Sequence, residues 1–105
     1  MNSPNITLAR VYTLEGQDQL SQALDILRDE EKIIGVTVFR GIEGIGASGE
    51  LHTSSLLDLS LDLPVIIEFY DEPWKVKKAI QALQSKLKLK HIVSWPATAH
   101  KHSNS

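Results

Sequence analysis

The first half of the chain switches between two hydrophobic periods. Residues Ile6 to Tyr12 are rich in β-forming side chains and contain no breaker, which predicts a strand. From Leu20 the apolar positions recur at the i, i+3, i+4, i+7 spacing of one helix face, and Gly35 is expected to end this helical segment. The stretch from Val36 to about Ile42 then predicts a second strand.

The second half repeats this order. Pro64 is expected to open a third strand that runs through Tyr70, because proline is tolerated at the first residue of a strand. Asp71 and Glu72 then supply a carboxylate cap, and Pro73 fits the first turn of a second helix. A last strand is predicted from Ile92 to Trp95, with Pro96 as its stop.

The predicted order is therefore β-α-β, a long loop, and β-α-β again. Two such units with right-handed crossovers interleave into the α+β, ferredoxin-like βαββαβ fold. It has a four-stranded antiparallel sheet, two helices on one face, and here a long loop between the second and third strands. We expect residues 1–105 to form a single domain, with an ordered core at about 6–96 and a mobile polar tail at 97–105.

The predicted strands are apolar on both faces. Val36 and Val38 alternate with Phe39, and Ile67 alternates with Ile66 and Tyr70. An antiparallel sheet with one solvated face would alternate apolar and polar residues instead. Because a broad exposed apolar face indicates an interface, the chain is expected to form oligomers through its sheet.

Composition narrows the class of protein. The chain has no cysteine, and its N-terminus does not resemble a signal peptide, which fits a cytoplasmic protein. No apolar run approaches the length of a membrane span. Every acidic residue lies at or before Glu72, and the remainder is lysine-rich. We interpret this as a solvated lysine face on a helix with acidic neighbours, and the alternative is a surface that attracts phosphates or nucleic acid. The net charge of −2 disfavours nucleic acid as a partner.

The long loop opens with a glycine cluster, GIEGIGASGELHTSS at residues 41–55, that contains a G-x-G-x-x-G pattern. A dinucleotide fingerprint would have to open a helix. The following segment, residues 57–63, instead alternates with period two, which is typical of extended chain. We therefore do not expect a dinucleotide-binding fold.

Two interpretations of the cluster remain open, a flexible loop and an anion-binding nest of backbone amides. In the second, Gly44, Gly46 and Gly49 would adopt positive φ and bring bare amides to a phosphate, and the loop would order only on binding. Arg40 at the strand end would bind the same phosphate, or equally pair with Glu43 or Glu50.

The stretch GVTVFRGIEGIGASG, residues 35–49, resembles the second strand and T-loop base of PII signalling proteins. The longer stretch FRGIEGIGASGELHTSSLLDLSLDLPVIIEFYD, residues 39–71, resembles the PII-like branch known as domain of unknown function 190. Its R-G-x-x-G-x-G-A, I-H-T and D-L-P-V-x-I-E motifs recur here in order, with Leu51 replacing the isoleucine. The resemblance extends over residues 6–96.

The resemblance implies a homotrimer whose sheets line the centre, with an adenine nucleotide in each cleft between subunits. Thr37, Gly44 and Gly46 match the T-loop base, and Lys90 matches a phosphate-binding lysine. The ligand-binding residues expected on all these grounds are Thr37, Arg40, Gly44, Gly46, Ala47, Ser48, Gly49, His52 and Lys90.

Two departures limit what the resemblance implies. The segment before the last strand, KLKLKHIVSW, lacks the glycine-rich loop of PII proteins. Ala47 and Ser48 stand where PII proteins have the Arg-Gln pair that serves magnesium and 2-oxoglutarate, so sensing of that pair is not expected.

The sequence thus predicts a non-enzymatic regulator that senses a small anion and acts on a partner, such as a membrane transporter or channel, through its long loop. One alternative is a small ferredoxin-like enzyme that uses His52 and Asp58, and another is a structural adaptor without a ligand. No metal site is expected, and His100 with His102 on the tail is interpreted as an incidental pair.

Overall fold

A computed structural model describes residues 5–14, 19–45, 51–53, 63–89 and 91–100, with the backbone alone described at 51–53. The elements are β1 (Asn5–Leu14), α1 (Gln19–Asp25) with a following π-helical turn (Ile26–Glu30), β2 (Gly35–Arg40), β3 (Glu43–Ile45), β4 (Leu51–Thr53), β5 (Pro64–Asp71), α2 (Pro73–Leu87) and β6 (Ile92–Thr98).

The main sheet confirms the predicted fold. Its four strands lie in the order β2-β5-β1-β6, and every neighbouring pair is antiparallel. The two central strands are the first of each β-α-β unit, so the two units interleave as the ferredoxin-like arrangement requires. Both helices cover one face of this sheet, and the mixed α+β class is as predicted.

The core lies between that face and the two helices. The inward residues of β1 and β5 include Val11, Ile67 and Phe69, all fully buried. The helices contribute the positions that the 3.6-residue period identifies, among them Leu27 and Leu83. This agreement explains why element type was predictable, since each helix and central strand buries a continuous stripe of its own residues.

The first helix ends before the predicted glycine. The Glu31 N–H donates to the Ile26 carbonyl at 2.9 Å, which closes a wider turn, and Lys32 then takes a left-handed conformation with φ 52°. The predicted end at Gly35 is therefore wrong. Gly35 is instead the first residue of β2, where it lies against the Tyr70 ring.

The start of the second helix is confirmed in position but differs in its cap. Pro73 is the first helical residue, but neither carboxylate caps the free N–H groups of the first turn, and Glu72 makes no side-chain cap. The buried Asp71 carboxylate accepts hydrogen bonds from the Ile34 N–H at 2.9 Å and the Glu72 N–H at 2.7 Å, with Lys75 Nζ at 3.4 Å. Asp71 thus joins the α1–β2 connection to the α2 turn.

Pro96 does not stop the last strand, which continues to Thr98. The Tyr12 N–H donates to the His91 carbonyl at 2.9 Å, so these opposed residues form a hydrogen-bonded pair of the β1–β6 ladder. Hydrogen-bonded and non-hydrogen-bonded pairs alternate along antiparallel strands, so Thr7 and Pro96 form a non-hydrogen-bonded pair. The backbone nitrogen of Pro96 is therefore directed away from β1. The missing proline N–H therefore costs no ladder bond on this edge strand.

A small hairpin inside the long loop was not predicted. Strands β3 and β4 pair in antiparallel register, with Glu43 opposite Thr53 and Ile45 opposite Leu51. Each strand has three residues, too few to show a period in a glycine-rich stretch. The extended conformation expected for residues 57–63 falls almost wholly outside the described residues, as do Lys101–Ser105 of the predicted mobile tail.

Candidate functional site

The face of the sheet away from the helices has no covering element among the described residues. We call it the open face, and its outward side chains on the four strands include Leu8, Arg10, Tyr12, Thr37, Phe39, Ile66, Glu68, Tyr70, Val93 and Trp95. Its aromatic side chains remain partly in solvent, with Phe39 at 43% and Trp95 at 39% exposure. The predicted two-faced apolar sheet is therefore present.

A charged pair lies in the middle of the open face. Arg10 Nε donates to Glu68 Oε1 at 2.8 Å, and the two residues are directly opposite on β1 and β5. The Arg10 guanidinium also lies 5.8 Å from the centre of the Phe39 ring and 5.9 Å from that of Trp95. Hydrogen bonds with Glu68 and Tyr12 raise the pKa of Arg10 above its ordinary value.

The long loop leaves and rejoins the sheet at one end of the open face. We call residues 41–45, 51–53, 63 and 64 the loop base. The Gly41 N–H donates to the Pro64 carbonyl at 2.7 Å, which extends the β2–β5 ladder by one pair. A Cβ on Gly41 would lie 2.7 Å from Pro64 Cγ, and one on Gly44 would lie 3.2 Å from the same atom. Two glycines thus allow the hairpin to pack on the proline ring.

This packing corrects one expectation about the glycines. Gly44 does not have a positive φ, because it is a strand residue of β3 that pairs with His52. Its lack of a side chain serves the approach to Pro64 rather than a left-handed turn. Gly46 and Gly49, for which positive φ was also expected, lie outside the described residues.

The other predicted site residues are separated by the pleat of β2. Thr37 is opposite Glu68 and belongs to the side of the open face, whereas Arg40 is opposite Val65 and belongs to the side of the helices. Both side chains are exposed. The structure therefore places Arg40 next to the loop base and Thr37 three residues away on the opposite face.

The remaining candidates fall outside the described part of the chain. These are Gly46, Ala47, Ser48, Gly49 and Lys90, together with the His52 side chain and the whole of Asp58. Neither the amide nest nor the His52–Asp58 pair is therefore tested by geometry. Glu68, the residue opposite Thr37, accepts a hydrogen bond from Arg10.

The connection from α2 to β6 is short and differs from a glycine loop. Lys88 takes the left-handed conformation with φ 56°, and Leu89 is buried at 7% exposure. A left-handed residue of this kind is a usual helix ending, although glycine is the common choice. The connection thus reverses the chain without the glycines of PII proteins.

The described residues meet neither the requirements of a metal site nor those of a membrane-spanning helix. They contain no group of three or more histidine, aspartate or glutamate side chains that could hold a metal ion. Nor do they include a helix that is both long and apolar enough to cross a membrane.

Sequence reasoning missed the most organised part of this surface. Arg10 was available as a signal, since it is a lone charge inside the otherwise apolar strand ITLARVY. Its partner Glu68 is 58 residues away, so the pair appears only once the register of β1 and β5 is known.

Comparison with known sequences places the chain in a family. A model of the DUF190 family, described as an uncharacterized ACR, matches residues 6–99. A UPF0166 protein from Aquifex aeolicus (strain VF5) is 37% identical over 84 residues, which is 75% of this chain and 79% of that protein.

Solved structures with the same fold are more distant in sequence. CPII, a nitrogen regulatory PII-like protein from Thiomonas intermedia K12 solved with ADP, AMP and bicarbonate, aligns with a TM-score of 0.65 at 19% identity, covering 89% of this chain and 84% of its own. The divalent ion tolerance protein CutA1 from Ehrlichia chaffeensis aligns at 0.64 and 14%, covering 98% and 89%. The chain therefore belongs to the DUF190 family, and it shares its ferredoxin-like fold with these PII-like and CutA1 structures.

Proposed function

We propose that this chain is a non-enzymatic, PII-like regulator that binds a small anionic ligand at clefts between its subunits. The favoured ligand is an adenine nucleotide. Binding would order the long loop, and the ordered loop would act on a partner protein, for which a membrane transporter or channel is the leading candidate. The protein would work as a homotrimer.

The observation that carries the proposal is the position of the loop base at the rim of the open face. Pro64 belongs to the same outward row of β5 as Ile66 and Glu68, and its ring lies close to both Gly41 and Gly44. A second subunit that covered the open face would therefore end beside the loop base. A ligand there would contact two subunits.

The open face itself supports association. Large apolar side chains are concentrated on it, and a contiguous apolar surface of this kind is typical of an interface. The central ion pair is compatible with burial, because Arg10 and Glu68 already satisfy each other within one chain. Aromatic residues and arginine are also the types enriched in the centres of interfaces.

The chemistry of the loop supports an anion as the ligand. Arg40 is exposed next to the loop base and offers a planar guanidinium suited to phosphate oxygens. We propose that the bare amides of Gly46 and Gly49 complete the contact within the subunit, and that Lys90 reaches it from the neighbouring subunit. The choice of an adenine nucleotide follows the family resemblance and the ADP and AMP bound by CPII.

Isothermal titration calorimetry with ATP, ADP, AMP and a cyclic nucleotide tests the proposal on the wild-type chain and on three variants. Arg40→Ala and Lys90→Ala are expected to weaken binding by about tenfold each, since a hydrogen bond to a charged group contributes about 1.5–3 kcal/mol. Gly46→Val is expected to abolish binding, because a β-branched side chain fills the space of the anion and opposes positive φ.

Arg28→Ala is the matched control, because Arg28 is an exposed residue of the π-helical turn after α1 and is bonded to Asp29 and Asp25. The nucleotide affinity of Arg28→Ala should equal that of the wild-type chain. Absence of heat with every nucleotide would overturn the choice of ligand. Binding that survives both Arg40→Ala and Gly46→Val would place the site elsewhere and leave the flexible-loop interpretation of the glycines.

A further inference from the structure

A groove on the helix side of the sheet has the features of a second, separate ligand site. It is an open groove of about 320 Å³ between α2, the central strand β1 and the edge strand β6. That volume is at the lower end of the range for small-molecule sites, about 300–1,000 Å³. The groove lies on the side of the sheet opposite the open face, because Thr7 and Ser94 belong to the inward rows of their strands.

The two walls of the groove differ in chemistry. The deep part is apolar, with the fully buried Val76 and the half-buried Ile80 of α2. The rim is polar, with hydroxyls from the sheet and longer side chains from the helix: Thr7, Ser94, Lys77 and Gln81. This combination of an apolar floor and a few convergent polar groups is typical of small-molecule sites.

The charge at the rim is positive and uncompensated. Lys77 makes no ion pair within the described residues, in contrast to Lys75 and Lys86 on the same helix, which pair with Asp71 and Glu30. The groove has no acidic side chain in its lining, and the chain has none after Glu72. A ligand that entered this groove would thus meet one cation, two hydroxyls and an amide.

We propose that the groove binds a small carboxylic acid with a hydrocarbon body. Its carboxylate would accept hydrogen bonds from Lys77 and from the hydroxyls of Thr7 and Ser94, while its hydrocarbon chain would cover Val76 and Ile80. A charge-assisted hydrogen bond at the rim supplies specificity for an anion, and burial of methylene groups supplies most of the affinity. The site is independent of the loop base, because it uses none of the same residues.

Two-dimensional ¹H–¹⁵N NMR of the labelled full-length chain tests this site with sodium octanoate as the probe. Octanoate is expected to cause saturable shifts confined to the amides around Lys77, Gln81, Thr7 and Ser94. Octan-1-ol, which lacks the charge, and octylammonium, which reverses it, are expected to bind at least about fivefold more weakly, since a charge-assisted contact contributes more than 1 kcal/mol.

Two variants and a control locate the effect. Lys77→Gln should weaken octanoate binding about fivefold, and Ser94→Phe should abolish it by filling the groove from an exposed strand position that tolerates aromatic residues. Lys78→Gln is the control, because Lys78 is the adjacent exposed lysine and does not line the groove. Equal binding of octan-1-ol, equal losses in Lys77→Gln and Lys78→Gln, or shifts that do not saturate would each overturn the proposal. None of these outcomes bears on nucleotide binding at the loop base.

Discussion

Arg10 and Glu68 occupy directly opposed positions on β1 and β5, with Arg10 Nε 2.8 Å from Glu68 Oε1. Tyr12 directs its backbone hydrogen bonds toward β6, and Arg10, two residues away on β1, does the same. Arg10 and Glu68 therefore exchange no backbone hydrogen bonds with each other, and in pairs of this kind the side chains are close. In the single chain, Arg10 and Glu68 keep 35% and 22% of their side-chain exposure. Solvent therefore still screens the attraction between the two charges, and a second subunit that covered the open face would remove this screening.

The first prediction concerns assembly through the open face. Light scattering of the wild-type chain should give about three times the chain mass of 11.7 kDa. Arg10→Ala should shift the population towards monomer by at least tenfold in dissociation constant, because it leaves the Glu68 carboxylate buried and unpaired in the interface. Its effect on the stability of the monomer should be smaller, since the pair is partly exposed there and solvent screens it.

A matched arginine and a partial replacement sharpen this test. Arg28→Ala removes an equally close ion pair that lies away from the sheet, with 71% of the Arg28 side chain exposed, and should leave the mass unchanged. Arg10→Lys should recover part of the association, because it keeps the charge but loses the planar group beside Phe39 and Trp95. A wild-type chain that is monomeric at micromolar concentration would contradict the sheet interface.

The second prediction concerns the glycines of the loop base. Gly41→Ala should destabilise the fold by about 1–3 kcal/mol, because its Cβ would overlap the rigid Pro64 ring and force it to move. Gly44→Ala should cost less, since the same ring lies further from its Cβ. Urea denaturation followed by tryptophan fluorescence gives both values. Combining Gly41→Ala with Pro64→Ala should restore part of the loss, and additive effects would show that the ring is not the cause.

Element type was largely readable from the sequence because it depends on local periods. The inward stripe of α2, from Val76 through Ala79 to Leu83, is a 3.6-residue pattern that any helix on a sheet must show. The start of β5 at Pro64 was equally local, since proline cannot donate to a ladder and suits a first strand position.

What the sequence did not reveal depends on contacts between distant residues. Lys32 ends the first helix in a left-handed conformation, and its carbonyl accepts a hydrogen bond from Lys75 Nζ at 3.0 Å. The roles of Gly41 and Gly44 depend on Pro64, which rejoins the loop base from the far end of the long loop. No period in the sequence encodes either relationship, so Gly44 was wrongly expected to adopt positive φ.

The third prediction concerns the Asp71 carboxylate that joins two connections. Asp71→Ala should destabilise the fold by about 2–4 kcal/mol, because it removes the acceptor of two part-buried backbone N–H groups, those of Ile34 and Glu72. Asp71→Asn should recover part of this, since one amide oxygen remains to accept. Lys75→Met is the control and should cost under about 1 kcal/mol, because the Lys75 ammonium lies 3.4 Å from the carboxylate and its other hydrogen bond, to the Lys32 carbonyl, is exposed. Equal costs for Asp71→Ala and Lys75→Met would contradict the backbone role.

The fourth prediction tests the register that allows a proline inside β6. If the Pro96 nitrogen is directed outward, Pro96→Val should change stability by less than about 1 kcal/mol, because no hydrogen bond within the sheet is gained or lost. Val93→Pro should cost about 3 kcal/mol or more, because Val93 is opposite Arg10 in a pair whose N–H groups bond across the ladder.

Urea denaturation of both variants measures this difference, and a third variant controls for the general effect of proline on strand conformation. Ser94→Pro places proline at a second position of the same strand whose backbone nitrogen is directed away from β1, so it should resemble the wild-type chain more closely than Val93→Pro does. A Ser94→Pro variant as unstable as Val93→Pro would mean that the ladder bonds are arranged the other way. Pro96→Val should also expose one more free N–H on the edge of the sheet, so its solubility should fall as edge-to-edge pairing becomes easier.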